Sequence, residues 1–111
     1  MSNYPKIGNI IWLDFDPQSG VEIKKMRPAL VVSCDFFNQK TGLAMVCPIT
    51  SSQRAFPLHV ALDSRTQTHG DILCEQLKSL DYQARSWTFI ENAPSDSLEK
   101  VLEIIGDIIG E

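Results

Sequence analysis

The chain has 111 residues, a formal net charge of −4 and 43% hydrophobic residues. That length supports one compact core, burying roughly two thirds of the unfolded chain's surface, and not a second, so a single domain over residues 1–111 is expected. The composition excludes a disordered tail. No apolar run approaches the roughly 18 residues that span a bilayer, so a soluble, cytoplasmic protein with no membrane partner is expected.

The stretch from Gly8 to Phe15 is rich in Ile, Trp, Leu and Phe and stops at Asp16-Pro17, a turn signal; it reads as a strand. Residues 18–26 carry Gly20, Glu22, Lys24 and Lys25 without apolar periodicity and read as a long loop. Arg27-Pro28 opens a β-branched run through Cys34, apolar on both faces as a central strand is. Asp35 to Lys40 predicts one helical turn capped by Asp35, ending near Gly42. Leu43 to Ile49 is a third strand, in which Pro48 should mark an edge, a bulge or the strand end. A polar loop, Thr50 to Arg54, leads to a short strand at Leu58–Leu62, and after a turn-rich stretch Ile72–Leu80 reads as one strand. Ser86–Glu91 is a further strand.

From Ser95 the period changes. Leu98, Val101, Leu102, Ile105, Ile108 and Ile109 fall on one face of a helix, with Pro94 at its start and Gly110 at its stop. Several short strands followed by one amphipathic helix predict an α+β fold, a small β-barrel or strongly bent antiparallel sheet closed by a C-terminal helix.

Charge is unevenly spread. Residues 95–111 hold five acids (Asp96, Glu99, Glu103, Asp107, Glu111) and one base, Lys100, whereas residues 1–94 hold nine of each. The excess acid thus belongs to the C-terminal helix, and a basic patch for nucleic acid remains open elsewhere. Cys34, Cys47 and Cys74 form no CxxC pair and sit in apolar contexts, so all three are expected to be small core hydrophobes.

Candidate chemistry gathers at strand ends. Arg27, fixed by the proline after it, is either a surface arginine closing a strand or a guanidinium held out to grip a phosphate. Thr50 either satisfies a turn or, if the second and third strands pair through the short connection at 35–42, stands beside Arg27 with Ser51 and Ser52 adjacent. Glu22 is placed either to take a proton from a ribose 2′-hydroxyl or to form an ion pair with Lys24 or Arg27. His59 and His69 are the default acid–base residues for ribonuclease chemistry, but one lies inside a short strand and the other in a turn, and neither is assigned a direct role. No motif for a metal, a nucleotide or a serine nucleophile is present, and the carboxylates do not cluster as a two-metal site needs, so no metal and no cofactor are expected.

Four segments together resemble the MazF, PemK and Kid family of toxin endoribonucleases. They are the opening strand and loop (Gly8, Ile10, Trp12, Asp14, Phe15, Pro17, Gly20, Glu22), Arg27-Pro28-Ala29 with its apolar strand, Pro48-Ile49-Thr50, and Glu75-Gln76-Leu77-Lys78-Ser79-Leu80. The resemblance implies an SH3-like barrel, a homodimer, and sequence-specific, metal-independent cleavage of single-stranded RNA by 2′-hydroxyl attack, leaving 2′,3′-cyclic phosphate and 5′-hydroxyl ends. It places Arg27 on the phosphorane charge, Thr50 on the same phosphate, and Glu22 among the catalytic residues. RNA contacts then fall to Lys24 and Lys25 in the first loop, to Ser51, Ser52 and Arg54 in the second, and to Glu75, Gln76 and Lys78. Some Kid-like members carry an arginine two places before the acid of the glutamine segment; Leu73 stands there in this chain, which favours the Arg27 and Thr50 assignment. A cognate MazE/PemI-like antitoxin is implied, with a disordered acidic tail suited to the basic groups, Arg85 among them. The alternative is a CcdB-like toxin that binds gyrase without cutting nucleic acid.

Overall fold

The structure, a computed structural model, describes residues 3–15, 26–52 and 56–110. Its elements are strands β1 (Asn9–Asp14) and β2 (Met26–Val31), helix α1 (Asp35–Thr41), strands β3 (Leu43–Thr50), β4 (His59–Ala61) and β5 (Asp71–Leu73), a 3-10 turn at Cys74–Gln76, strand β6 (Lys78–Asp81), a second 3-10 turn at Tyr82–Ala84, strand β7 (Trp87–Asn92) and helix α2 (Ser95–Ile109). The seven strands form one antiparallel sheet in the order β4-β5-β3-β2-β1-β7, with β6 also on β3. This is the expected α+β arrangement of a sheet and a C-terminal helix. No ladder joins β7 to β4 among the described residues, so the sheet is open.

The predicted strand over Ile72–Leu80 is two strands. β3 pairs with β6 from Leu43 to Val46 and with β5 at Ile49 and Thr50, and the 3-10 turn at Cys74–Gln76 fills the interval between them. Cys47 and Pro48 face that gap, so the residue without an N–H sits where one of its two ladders is already broken. Pro48 is therefore compatible with the middle of a buried strand. β3 runs on past it to Thr50, and the interruption expected at Pro48 lies instead in the facing segment, the 3-10 turn at Cys74–Gln76.

Two apolar clusters cover the two faces. Ile10, Leu30, Cys47, Ile49 and Ile72 pack with Val101, and Leu98, Ile104 and Ile105 of α2 lie against them. Ile11, Leu13, Ala29, Val31, Ala44 and Val46 pack with Tyr82 on the other side. Alternation in β2 and β3 assigns Ala29, Val31, Ala44 and Val46 to one cluster and Leu30, Cys47 and Ile49 to the other, which is why these strands read as apolar throughout. The buried stripe of α2 departs from the predicted face. Ile104 packs inward, whereas Leu102, Ile108 and Ile109 are exposed.

Two smaller expectations fail. Asp35 does not cap α1: Cys34 is its N-cap residue, and the Asp35 carboxylate instead accepts a hydrogen bond from the Ile7 N–H at 2.8 Å. Cys34 consequently lies exposed at the helix start, and only Cys47 and Cys74 are core thiols. Asn38 is buried with its amide bonded to the Pro5 and Ser33 carbonyls, tying α1 to the N-terminal segment.

Candidate active site

The site grows from the open end of β2 and β3. Ala29 pairs with Pro48, Leu30 with Cys47 and Val31 with Val46. Carrying that register two residues outward sets Arg27 opposite Thr50, on the side of the sheet to which Ala29, Val31, Ala44 and Val46 belong. Arg27 is exposed and Thr50 half-buried. The Thr50 hydroxyl accepts from the Ser52 N–H at 3.3 Å, folding the chain back over the strand end.

The next strand fixes Thr50 from behind. Asp71 pairs with Thr50 across β3 and β5 and with Ala61 across β4 and β5, and Leu73 pairs with His59. The same face of the sheet therefore carries Thr50, Asp71, Leu73 and His59. Thr50, Ser52, His59, Leu73, Glu75 and Gln76 line an open cleft of about 280 Å³. Gly70, just before β5, has φ +122 and packs against the Thr50 carbonyl.

Inside this cleft is an arrangement not assigned from sequence. The His59 Nε2 lies 3.1 Å from Glu75 Oε2, and its Nδ1 lies 3.5 Å from Asp71 Oδ2. The first contact is a hydrogen bond; the second is an ion-pair approach. The Asp71 side chain is 4% exposed and that of His59 12%, against 30% for Glu75. The Phe56 ring leans on the imidazole with centroids 4.8 Å apart. The two carboxylates address opposite edges of the ring rather than a common point, and among the described residues no group of three His, Cys, Asp or Glu is arranged to hold a metal ion.

Of the residues singled out in the sequence, Thr50, Ser52, Glu75 and Gln76 share the cleft, Arg27 lies at the same end of the sheet, and Ser51 is exposed beside them. Lys78 is exposed on β6 opposite Val46, its Nζ 5.7 Å from the Phe15 ring centre. Glu22, Lys24, Lys25 and Arg54 lie outside the described residues. Arg85 is tied to the fold, its guanidinium donating to the Asp14 carbonyl at 3.1 Å. Asp96, one of the five helix acids, is held by Arg65 at 2.8 Å, and Arg65 also grips Asp63. The sequence names His59 without a direct role and does not single out Asp71. Alternation in Leu58–Leu62 placed His59 on a strand, but only the β4–β5 pairing reveals what it faces.

Comparison with known proteins agrees with this architecture. Residues 6–109 match the family model described as PemK-like, MazF-like toxin of type II toxin-antitoxin system. The endoribonuclease toxin MazF of Escherichia coli K12 is 34% identical over 106 residues, covering 96% of this chain and 95% of that protein. The crystal structure of MazF from Deinococcus radiodurans superposes with a TM-score of 0.88 at 35% identity, covering 99% of this chain and all of the other. A MazE-MazF structure from the same organism gives a TM-score of 0.85 at 33% identity over 98% of each chain. The relatives named endoribonucleases give the gyrase-binding alternative no support.

Proposed function

Because the chain belongs to the family of PemK-like and MazF-like toxins of type II toxin-antitoxin systems, we propose that it is an endoribonuclease toxin that cuts single-stranded RNA in the cleft around Thr50. The observation that carries this reading is the β2–β3 register, which brings a guanidinium and a hydroxyl to one end of one face. There the 2′-hydroxyl oxygen attacks the adjacent phosphorus, the bond to the 5′-oxygen breaks, and a 2′,3′-cyclic phosphate and a 5′-hydroxyl remain. Arg27 bears on the phosphorane oxygens, where charge grows in the transition state, and Thr50 holds the same phosphate through its hydroxyl. Glu22 takes the 2′-hydroxyl proton. No metal and no cofactor enter these steps.

Unpaired bases are read by groups around the cleft. Ser52, Glu75 and Gln76 line it, and the proposal extends to Ser51, Lys78, Lys24, Lys25 and Arg54. The open sheet is read as an SH3-like barrel, one domain over the whole chain, working in the cytoplasm. Exposed Trp12 on β1 and exposed Leu102, Ile108 and Ile109 on α2 are apolar surface suited to a homodimer. A cognate MazE/PemI-like antitoxin is its regulator, by analogy with the MazE-MazF complexes.

Replacing Arg27 by Ala tests the site. RNA cleavage should vanish with the melting temperature nearly unchanged, because the side chain is exposed. A large loss of stability with proportionate loss of cleavage would return Arg27 to a structural role.

A further inference from the structure

We propose that His59 is a catalytic acid of this cleft, its Nε2 delivering the proton to the departing 5′-oxygen, with Asp71 as the positioning residue behind it. The inference rests on the reading of the chain as an endoribonuclease and supplies the group that reading leaves unassigned. His59 shares the cleft wall with Thr50, the residue proposed to hold the phosphate, because Asp71 of β5 pairs with Thr50 on one side while β4 brings His59 onto the other. A carboxylate accepts hydrogen bonds and cannot donate them, so Nε2 is the donor of the 3.1 Å bond to Glu75, while Asp71 Oδ2 stands 3.5 Å from Nδ1. The buried Asp71 addresses Nδ1, and the Phe56 ring limits rotation, so the ring is oriented with its Nε2 edge toward the cleft. Glu75, the more exposed partner, is the acceptor that an incoming leaving oxygen would replace.

In-line displacement also decides which group His59 serves. The entering and leaving oxygens stand on opposite sides of phosphorus, so two groups only 3.1 Å apart cannot serve both. His59 and Glu75 therefore belong to one side of the phosphorus, and neither also serves as the base on the other. In the balanced step the 2′-oxygen to phosphorus bond forms as its proton passes to a general base. The phosphorus to 5′-oxygen bond breaks with its electron pair on oxygen, which takes the proton from His59 Nε2. Exchange with water then restores both groups.

The test uses the full chain and an oligonucleotide spanning a linkage first mapped on a long RNA, made once with the natural 5′-oxygen and once with sulfur in that place. A thiolate leaves without being protonated, so loss of a catalytic acid should matter only for oxygen. His59→Ala should slow single-turnover cleavage of the oxygen substrate by about 100-fold or more while cutting the sulfur substrate at close to the wild-type rate. His59→Gln, which keeps a polar group of similar reach, should behave the same way and serves if the alanine variant does not fold. Asp71→Asn should slow the oxygen substrate less than His59→Ala and likewise spare the sulfur one. If the wild type cuts both substrates and the His59 variants slow both alike, or slow neither, this inference falls and the endoribonuclease reading stands. If the wild type cuts neither substrate nor the long RNA, both fall.

Discussion

Gly70 lies directly against Thr50: a β-carbon at Gly70 would stand 1.8 Å from the Thr50 carbonyl oxygen, at a φ of +122 that side chains rarely adopt. The strand that anchors the cleft can approach the proposed phosphate-binding residue only because this position has no side chain. Gly70→Ala should therefore lower stability by at least about 1 kcal/mol and displace Thr50. Denaturant melts should record the first effect. Cleavage measured where the variant remains folded should be reduced as well, and full activity there would mean that the strand end is less rigid than this packing implies.

The three thiols should divide two to one. Burial, the neighbouring Cys74 thiol and Glu75 push the Cys47 thiol up to about 12, and burial and Glu75 push Cys74 up to about 11. Both should remain protonated and shielded at pH 8, whereas Cys34 is exposed. Titration of the native protein with a thiol reagent should count one fast group, and titration in denaturant should count three. Three fast thiols in the native protein would contradict the packing of β3 and β5.

The loop before β5 hangs on one carboxylate. Glu91 of β7 accepts from the Gln67 N–H at 3.1 Å and from the Thr68 N–H and hydroxyl, each at 2.8 Å. Burial pushes its carboxyl up, but these three bonds and nearby His69 outweigh that and leave it below the ordinary value. A group lowered by folding stabilises the native state above its unfolded pKa, and that contribution is lost as pH falls through the folded value. Glu91→Gln should destabilise at pH 7 by roughly 1 kcal/mol, with the gap to wild type closing as the pH drops below about 4. A gap independent of pH would mean that the charge of Glu91 contributes nothing.

Much of this fold is legible in the chain because local chemistry decides it. The apolar run from Gly8 forms β1 through Asp14, Arg27-Pro28 lies at the start of β2, and the apolar period from Leu98 with Pro94 and Gly110 sets α2. What escapes is set by pairing between distant strands. Nothing near Cys74 announces a break; it follows from β3 changing partners across Cys47 and Pro48. Cys34 has the apolar neighbours of a core thiol, yet it follows the end of the ladder and becomes a helix cap. Likewise the nearness of the Arg27 and Thr50 strand ends could be foreseen, because neighbouring strands carry them, but His59 meets Asp71 and Glu75 only through the β4–β5 ladder.

Lys78 offers a test of RNA contact apart from chemistry. Its exposed ammonium on β6 should meet one phosphate of a strand crossing the cleft. With a 2′-O-methyl oligonucleotide, which lacks the attacking hydroxyl, Lys78→Ala should weaken binding and reduce the salt slope of log K by about 0.7, the value for one contact to a single strand. An unchanged slope would place the backbone of the RNA elsewhere.

The most direct test of the central claim is digestion of a long unstructured RNA by the purified protein in EDTA, with the new ends mapped and identified. Cleavage at a recurring short sequence, leaving 2′,3′-cyclic phosphate and 5′-hydroxyl ends, is the predicted result. Intact RNA in the presence of demonstrably folded protein, or cutting that stops when EDTA is added, would contradict it.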